Sequence, residues 1–256
     1  MTTPFKRQVY RRLPDRVKVR RQRAAVADGS PFAHFLHLPK TGGTALRHAI
    51  GAVQSANHTI MFHPHSVRLR DLPDDDAFFF TVRDPVARFV SAFNSRSREG
   101  APRYATPWTA SERAFFTRYS TANQLGLALA SSHSGVRRDA ERAIRSVRLL
   151  RSSYWDWFGS ERVLRRNVHR VLWVGWVPTL NADFERLRRV LALPATVALP
   201  ADDVMAHRAP GRMPSPLEAR AASAIRMWCS ADYEFLALLA DLVPVSYTPS
   251  AISSTP

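Results

Sequence analysis

Apolar residues along this chain fall into two kinds of pattern. Residues 32–38 (FAHFLHL) and 77–82 (AFFFTV) are short, nearly unbroken apolar runs, and runs of that length suit strands buried on both faces of a parallel sheet. Each is followed by a turn signal and then by helical spacing. After the first come Pro39 and the pair Gly42-Gly43, and residues 44–53 carry the helical pattern. After the second, Asp84 fits an N-cap and Pro85 the first helical position, with Val86, Phe89, Val90 and Phe93 recurring as a core-facing stripe. The unit strand, turn, helix therefore occurs twice, which predicts an α/β fold around a central parallel sheet.

Composition narrows the class. A chain of 256 residues, 45% of them hydrophobic, can bury one sizeable core, so a single domain over 31–243 is expected. The single Cys229 excludes a disulfide framework and any multi-cysteine zinc site and suits a reducing compartment. No run of about eighteen apolar residues and no charged-then-apolar leader is present, so the expectation is a cytoplasmic protein without a membrane span. The formal net charge is +16, and nine of the first 23 residues are Lys or Arg against Asp15 alone. Residues 1–30 read as a basic arm, more simply a solvated, poorly ordered tail than a contact for a membrane surface or nucleic acid. Residues 244–256, uncharged and rich in Ser, Thr and Pro, read as a disordered tail.

Charge chemistry also singles out the first turn. Only three of the 37 basic residues are lysines, and Lys40 is the one inside the expected domain. A compact ammonium beside glycines and a helix N-terminus suits a phosphate-sized anion, with Lys40 as a point charge. An ordinary tight turn is the plain alternative, which Lys40, Thr41 and Thr44 around the glycines weigh against. Arg83 stands where the second strand gives way to its helix, the sheet edge at which ligands of open α/β folds bind. Its plain alternative is a pairing with Asp84, and that of Ser91 is a small residue on the helix's polar side.

These segments carry a family resemblance. LPKTGGTAL resembles the 5′-phosphosulfate-binding loop of sulfotransferases that use 3′-phosphoadenosine 5′-phosphosulfate, and TVRDPVARFVSAF resembles their 3′-phosphate-binding strand and helix. Both motifs, about forty residues apart, are similar to the carbohydrate branch that includes heparan sulfate 2-O- and 6-O-sulfotransferases. The resemblance implies a three-layer sandwich with a central parallel sheet and a P-loop-like phosphosulfate-binding loop. It implies that Lys40, Thr41, Gly42, Gly43, Thr44 and Ala45 hold the 5′ end of the donor and that Arg83 and Ser91 hold its 3′-phosphate. Lys40 would lie over the bridging oxygen between phosphate and sulfate, no metal would be required, and the acceptor would be a hydroxyl of a saccharide or glycoconjugate. More weakly, residues 171–191 resemble the family's late strand and helix, with Pro178-Thr179 where a glutamate is usual, and residues 227–239 resemble its C-terminal helix with an Asp-Tyr pair. Matched segments cover about a third of the chain and leave 101–167 unassigned.

A base for the acceptor hydroxyl is sought in MFHPHSV (61–67), which resembles a histidine pair of the 2-O-sulfotransferases. His63 and His65 share a side if the segment is extended, and Pro64 favours that geometry for His63. His65 is the candidate base and His63 the orienting or substrate-contacting partner. Half of a metal site and a polar surface pair are the alternatives. Tyr104, Trp108, Tyr154, Trp155 and Trp157, with Arg103, Arg113 and Arg118, belong to the region from which the acceptor pocket is expected, without assigned roles. Residues 207–216 read as a solvent loop or a mobile cover. Two rival functions remain at this stage: a Mg²⁺-dependent phosphotransferase of related fold, and a nucleic-acid-binding module, for which no nucleic-acid partner is otherwise expected.

Overall fold

The apolar runs fold as strands of one parallel sheet. The computed structural model describes residues 13–101, 105–200 and 217–243. In chain order these residues form α1 (Asp15–Val26), β1 (Phe32–Phe35), α2 (Gly43–Ile50), β2 (Thr59–Phe62), β3 (Ala77–Val82) and α3 (Pro85–Ser97). A helical stretch follows: α4 (Ala110–Arg118), α5 (Ala122–Leu129), α6 (Ser134–Ser146), α7 (Arg148–Arg151), α8 (Trp155–Phe158) and α9 (Glu161–Asn167). The chain returns to the sheet as β4 (Val171–Trp176) and ends in α10 (Leu180–Val190), α11 (Ala219–Trp228) and α12 (Ser230–Leu242).

Strand order is β2-β1-β3-β4 with every pairing parallel, so the fold is α/β with helices flanking the sheet. Successive side chains of a strand point to opposite faces, and here both faces are covered. Phe79 and Trp173 pack with Phe35, Leu46, Leu180 and Phe184 on one face. Phe78 and Phe80 pack with Val82, Tyr154, Phe158 and Phe235 on the other. Phe78, Phe79 and Phe80 are each 0% exposed, and truncating one to alanine costs about 3–5 kcal/mol. A third cluster, holding Phe93, Phe115, Leu125, Ile144 and Ile225, lies among α3 to α7 and α11, apart from the sheet.

The connections decide where a site forms. From β1 the chain crosses through α2 to β2 at one edge, and from β3 it proceeds towards β4 at the other. The neighbours β1 and β3 therefore send their following loops in opposite directions. Their carboxyl ends mark the switch point of the sheet, and both sequence motifs lie there.

Three boundaries differ from the sequence reading. Strand pairing of 32–38 stops at Phe35, although Leu36 and Leu38 stay buried. The helix read at 44–53 ends at Ile50, where the Gly51 amide closes on the Arg47 carbonyl at 2.8 Å. The basic segment divides: residues 1–12 lie outside the described residues, while Asp15–Val26 is a helix docked on the domain. Val19 is 1% exposed in that helix, and Arg23 reaches Asp76 through two hydrogen bonds of 2.7 and 3.0 Å. Arg103, Tyr104, the 207–216 loop and the 244–256 tail lie outside the described residues.

Candidate functional site

The first loop is bent by two left-handed residues. Gly42, with φ 78°, is the N-cap of α2, a conformation open to glycine. Lys40 also has positive φ, 66°, which strains a residue with a long side chain. Thr41 explains how the bend is held: its buried hydroxyl donates to the Leu38 carbonyl at 2.9 Å and meets the Thr81 hydroxyl of β3 at 2.9 Å. Thr41 thus ties the loop to the neighbouring strand. Gly43 serves packing, since a Cβ there would sit 2.4 Å from the His37 ring. Ala45 and Leu46 both donate to the Gly42 carbonyl, so the amides ahead of them, those of Gly43 and Thr44, are the donors that α2 leaves without an intrahelical acceptor. Thr44 is half-buried beside them.

The second junction is held from far along the chain. Asp84 caps α3 as expected, accepting from the Ala87 amide at 2.8 Å, and its other oxygen accepts from the Tyr233 hydroxyl at 2.7 Å. With Asp84 engaged in this way, Arg83 has no carboxylate partner among the described residues. The Arg83 peptide is instead bracketed by the Tyr154 hydroxyl, which donates to its carbonyl at 2.6 Å and accepts from its amide at 3.0 Å. Asp232 anchors that tyrosine in turn, accepting from the Tyr154 amide and the Ser153 hydroxyl at 2.6 Å each and pairing with Arg88. Ser91 lies half-buried on α3.

Lys40, Arg83 and Arg98 share one electrostatic neighbourhood. Burial, then the Arg83 and Arg98 charges, lower the Lys40 ammonium to about 8. Burial likewise lowers the Arg83 guanidinium. Cations that repel one another at a sheet edge form a site that an anion stabilises. Arg98, just past the end of α3, was not indicated by the sequence, since nothing local marks a helix-end arginine as belonging to a site.

The histidine pair is split. The Val67 amide bonds the Pro64 carbonyl at 3.1 Å, so the chain turns after β2 and the alternation of an extended strand no longer applies. His63 is 1% exposed and enclosed, its Nε2 2.8 Å from Nδ1 of His34, whose Nε2 lies 2.9 Å from Asp76. Desolvation first, with the neighbouring His34, lowers His63 to about 3. It is enclosed and positioned to brace β2 against β1. His65 lies at the surface, its ring 4.0 Å from the His37 ring. Its Nδ1 lies 2.8 Å from the His37 carbonyl, which can only accept, so Nδ1 carries the proton and Nε2 keeps a lone pair. Partial desolvation lowers its pKa, the Lys40 and Arg148 charges add to that effect, and the bond to His37 opposes it. Among the described residues no three histidine, cysteine or acidic side chains are grouped to hold a metal ion. Of the aromatic residues, Tyr154 and Trp157 are core, while Trp155 donates to the Ala231 carbonyl and Trp108 to the Arg96 carbonyl. No described helix is long and apolar enough to cross a membrane.

Compared with protein-family models and with curated proteins, the chain matches none. Its function is therefore to be read from the site: a strained lysine, two guanidinium groups whose charges act on its ammonium, helix amides and a histidine with a free lone pair.

Proposed function

We propose that the chain is a sulfotransferase moving a sulfuryl group from 3′-phosphoadenosine 5′-phosphosulfate to an acceptor hydroxyl, on a three-layer α/β sandwich with a P-loop-like phosphosulfate loop. The observation that supports it most is the meeting of the two motif loops at the carboxyl ends of β1 and β3, with Lys40 and Arg83 close enough to lower the ammonium's pKa. In this reading the backbone of Thr41 to Ala45 receives the 5′-phosphate, and Arg83 with Ser91 receives the 3′-phosphate. Lys40 stands at the bridging oxygen, where negative charge grows as the bond to sulfur breaks, so it favours the transition state over the ground state. Nε2 of His65 takes the acceptor proton while the acceptor oxygen bonds to sulfur and the electron pair of the broken bond remains on the phosphate. A backbone carbonyl fixes the His65 tautomer needed for that role. By the resemblance the acceptor is a saccharide or glycoconjugate, and the buried, single Cys229 suits a cytoplasmic setting.

The test is donor conversion by the full chain in EDTA. Release of adenosine 3′,5′-bisphosphate, dependent on a hydroxyl acceptor and reduced about a hundredfold or more in His65→Ala, is expected. Mg²⁺-dependent transfer of a γ-phosphate from ATP would support a phosphotransferase instead and overturn the reading.

A further inference from the structure

Next to Lys40 the fold opens a cleft of about 820 Å³ between α3, the corner of α6 and α7, and α11. That volume suits one ligand of moderate size. Arg137, Arg145, Arg151 and Arg220 line it together with Lys40. Among the described residues three of these arginines bond only to backbone carbonyls: Arg137 to Ser131, Arg151 to Arg145 and Arg220 to Ala130. The fourth, Arg145, lies over the Trp228 ring at 5.1 Å. Glu141 and Asp232 are the acids among the described lining residues, and Arg88 already engages Asp232. Among the described lining residues Glu141 alone is left to face four arginines, so the cleft carries excess positive charge and calls for an acidic ligand.

The rest of the wall is hydrocarbon. Phe89, Leu129, Leu149, Met227 and Trp228 contribute to it, and Met227 is 75% exposed at α11. Met227 thereby extends the apolar wall of the cleft out to the surface. Neutral polar side chains are few. Among the described lining residues there is no Asn, Gln, Thr, Tyr or His, and the hydroxyls come from Ser152, Ser153 and Ser223. Ser152 already donates to the Leu149 carbonyl and Ser153 to Asp232. A sugar ring needs partners for several hydroxyls and commonly a bare aromatic face, and one face of Trp228 is occupied by Arg145.

We infer that the cleft takes an anionic amphiphile, a hydrocarbon body bearing an acidic group, and that this is the part of the acceptor recognised beside Lys40. That its hydroxyl is sulfated rests on the sulfotransferase reading; that it binds does not. The acidic group meets the arginines, the hydrocarbon covers Leu149 and the Met227-Trp228 step, and the remainder extends towards Lys40. Such an acceptor is a lipid-like glycoconjugate or a soluble amphiphile, two sources of one chemistry.

Calorimetry on the full chain, with octyl, decyl and dodecyl phosphate below their micelle concentrations, tests this. Affinity is expected to rise about fourfold per methylene, the equivalent of about 0.8 kcal/mol for each buried CH₂. Neutral decyl maltoside and an anionic hexasaccharide without a tail should each bind at least tenfold more weakly than decyl phosphate. Ala224→Trp, which intrudes into the cleft, should weaken decyl phosphate binding, and Arg145→Gln with Arg151→Gln should weaken decyl phosphate while leaving decyl maltoside unchanged. Sedimentation with phosphatidylglycerol vesicles separates the sources: loss in Ala224→Trp indicates a membrane lipid, and monomer binding without vesicle binding a soluble one. No dependence on tail length, or vesicle binding untouched by Ala224→Trp, would overturn the inference. Binding of adenosine 3′,5′-bisphosphate in the same samples reports on the fold and donor site. Its presence without amphiphile binding sinks the cleft inference alone, and its absence sinks the sulfotransferase reading.

Discussion

Lys40 is held in a position that ordinary stability would not select. Its backbone lies in the left-handed region, and its ammonium is part-buried near two guanidinium groups. Such features persist where neighbours over-determine them, and they concentrate at functional sites. His65 complements it, neutral where Lys40 must be charged. The two shifts fix the sign of the pH dependence. Because burial and the neighbouring arginines lower Lys40 to about 8, kcat/KM should fall as pH rises through that value. Because His65 is lowered from the ordinary 6.5, the base stays available below that value, and the acidic limb should lie under pH 6.5. Steady-state rates across pH 5 to 10 check both limbs; an acidic limb retained in His65→Ala would mean that another group titrates.

At the scale of elements, the C-terminal helix acts on the β3–α3 junction through the Asp232-Tyr233 pair. Tyr233 holds Asp84, while Asp232 holds Tyr154 and through it the Arg83 peptide. Tyr154→Phe removes one hydroxyl and takes from the part-buried Arg83 amide and carbonyl the partner they share. The expected loss is about 1–3 kcal/mol of stability in urea unfolding. Affinity for adenosine 3′,5′-bisphosphate should fall more than that for the 5′-monophosphate, which purely global loosening would not produce. This clamp also shows what the sequence could convey. The strand at 77–82 and the Asp84 cap were legible because they depend on adjacent residues, an apolar run and a local hydrogen bond. Tyr154 lies 71 residues from Arg83, and no local pattern marks such a contact. The His63 and His65 pair misled because a turn closes between Pro64 and Val67 and sends the rings apart. Gly43 has a second reason to lack a side chain that no local pattern marks, since a Cβ there would meet the His37 ring.

Across the whole molecule, sheet order is what brings distant motifs together. With β1 beside β3, the Lys40 loop and Arg83 become neighbours although the strands are separated in sequence by α2 and β2. Over most of the residues unassigned by resemblance, α4 to α7 join α3 and α11 in a separate core and build one wall of the arginine cleft, while α8 and α9 pack on the sheet. The fold of this stretch was not legible because the matched motifs stop short of it. A net charge of +16 has a further consequence: the protein attracts anions of many kinds, and affinity for a phosphate compound alone says little about the site. Discrimination between two anions is more informative than affinity for one. The most direct measurement is therefore calorimetric comparison of adenosine 3′,5′-bisphosphate with adenosine 5′-monophosphate, for the native chain and Arg83→Ala, in EDTA at physiological salt. The native chain should prefer the bisphosphate, and Arg83→Ala should lose about 1.5–3 kcal/mol of bisphosphate affinity while binding the monophosphate as before. Equal affinity of the native chain for both ligands, or equal weakening of both in the folded variant, would contradict the account.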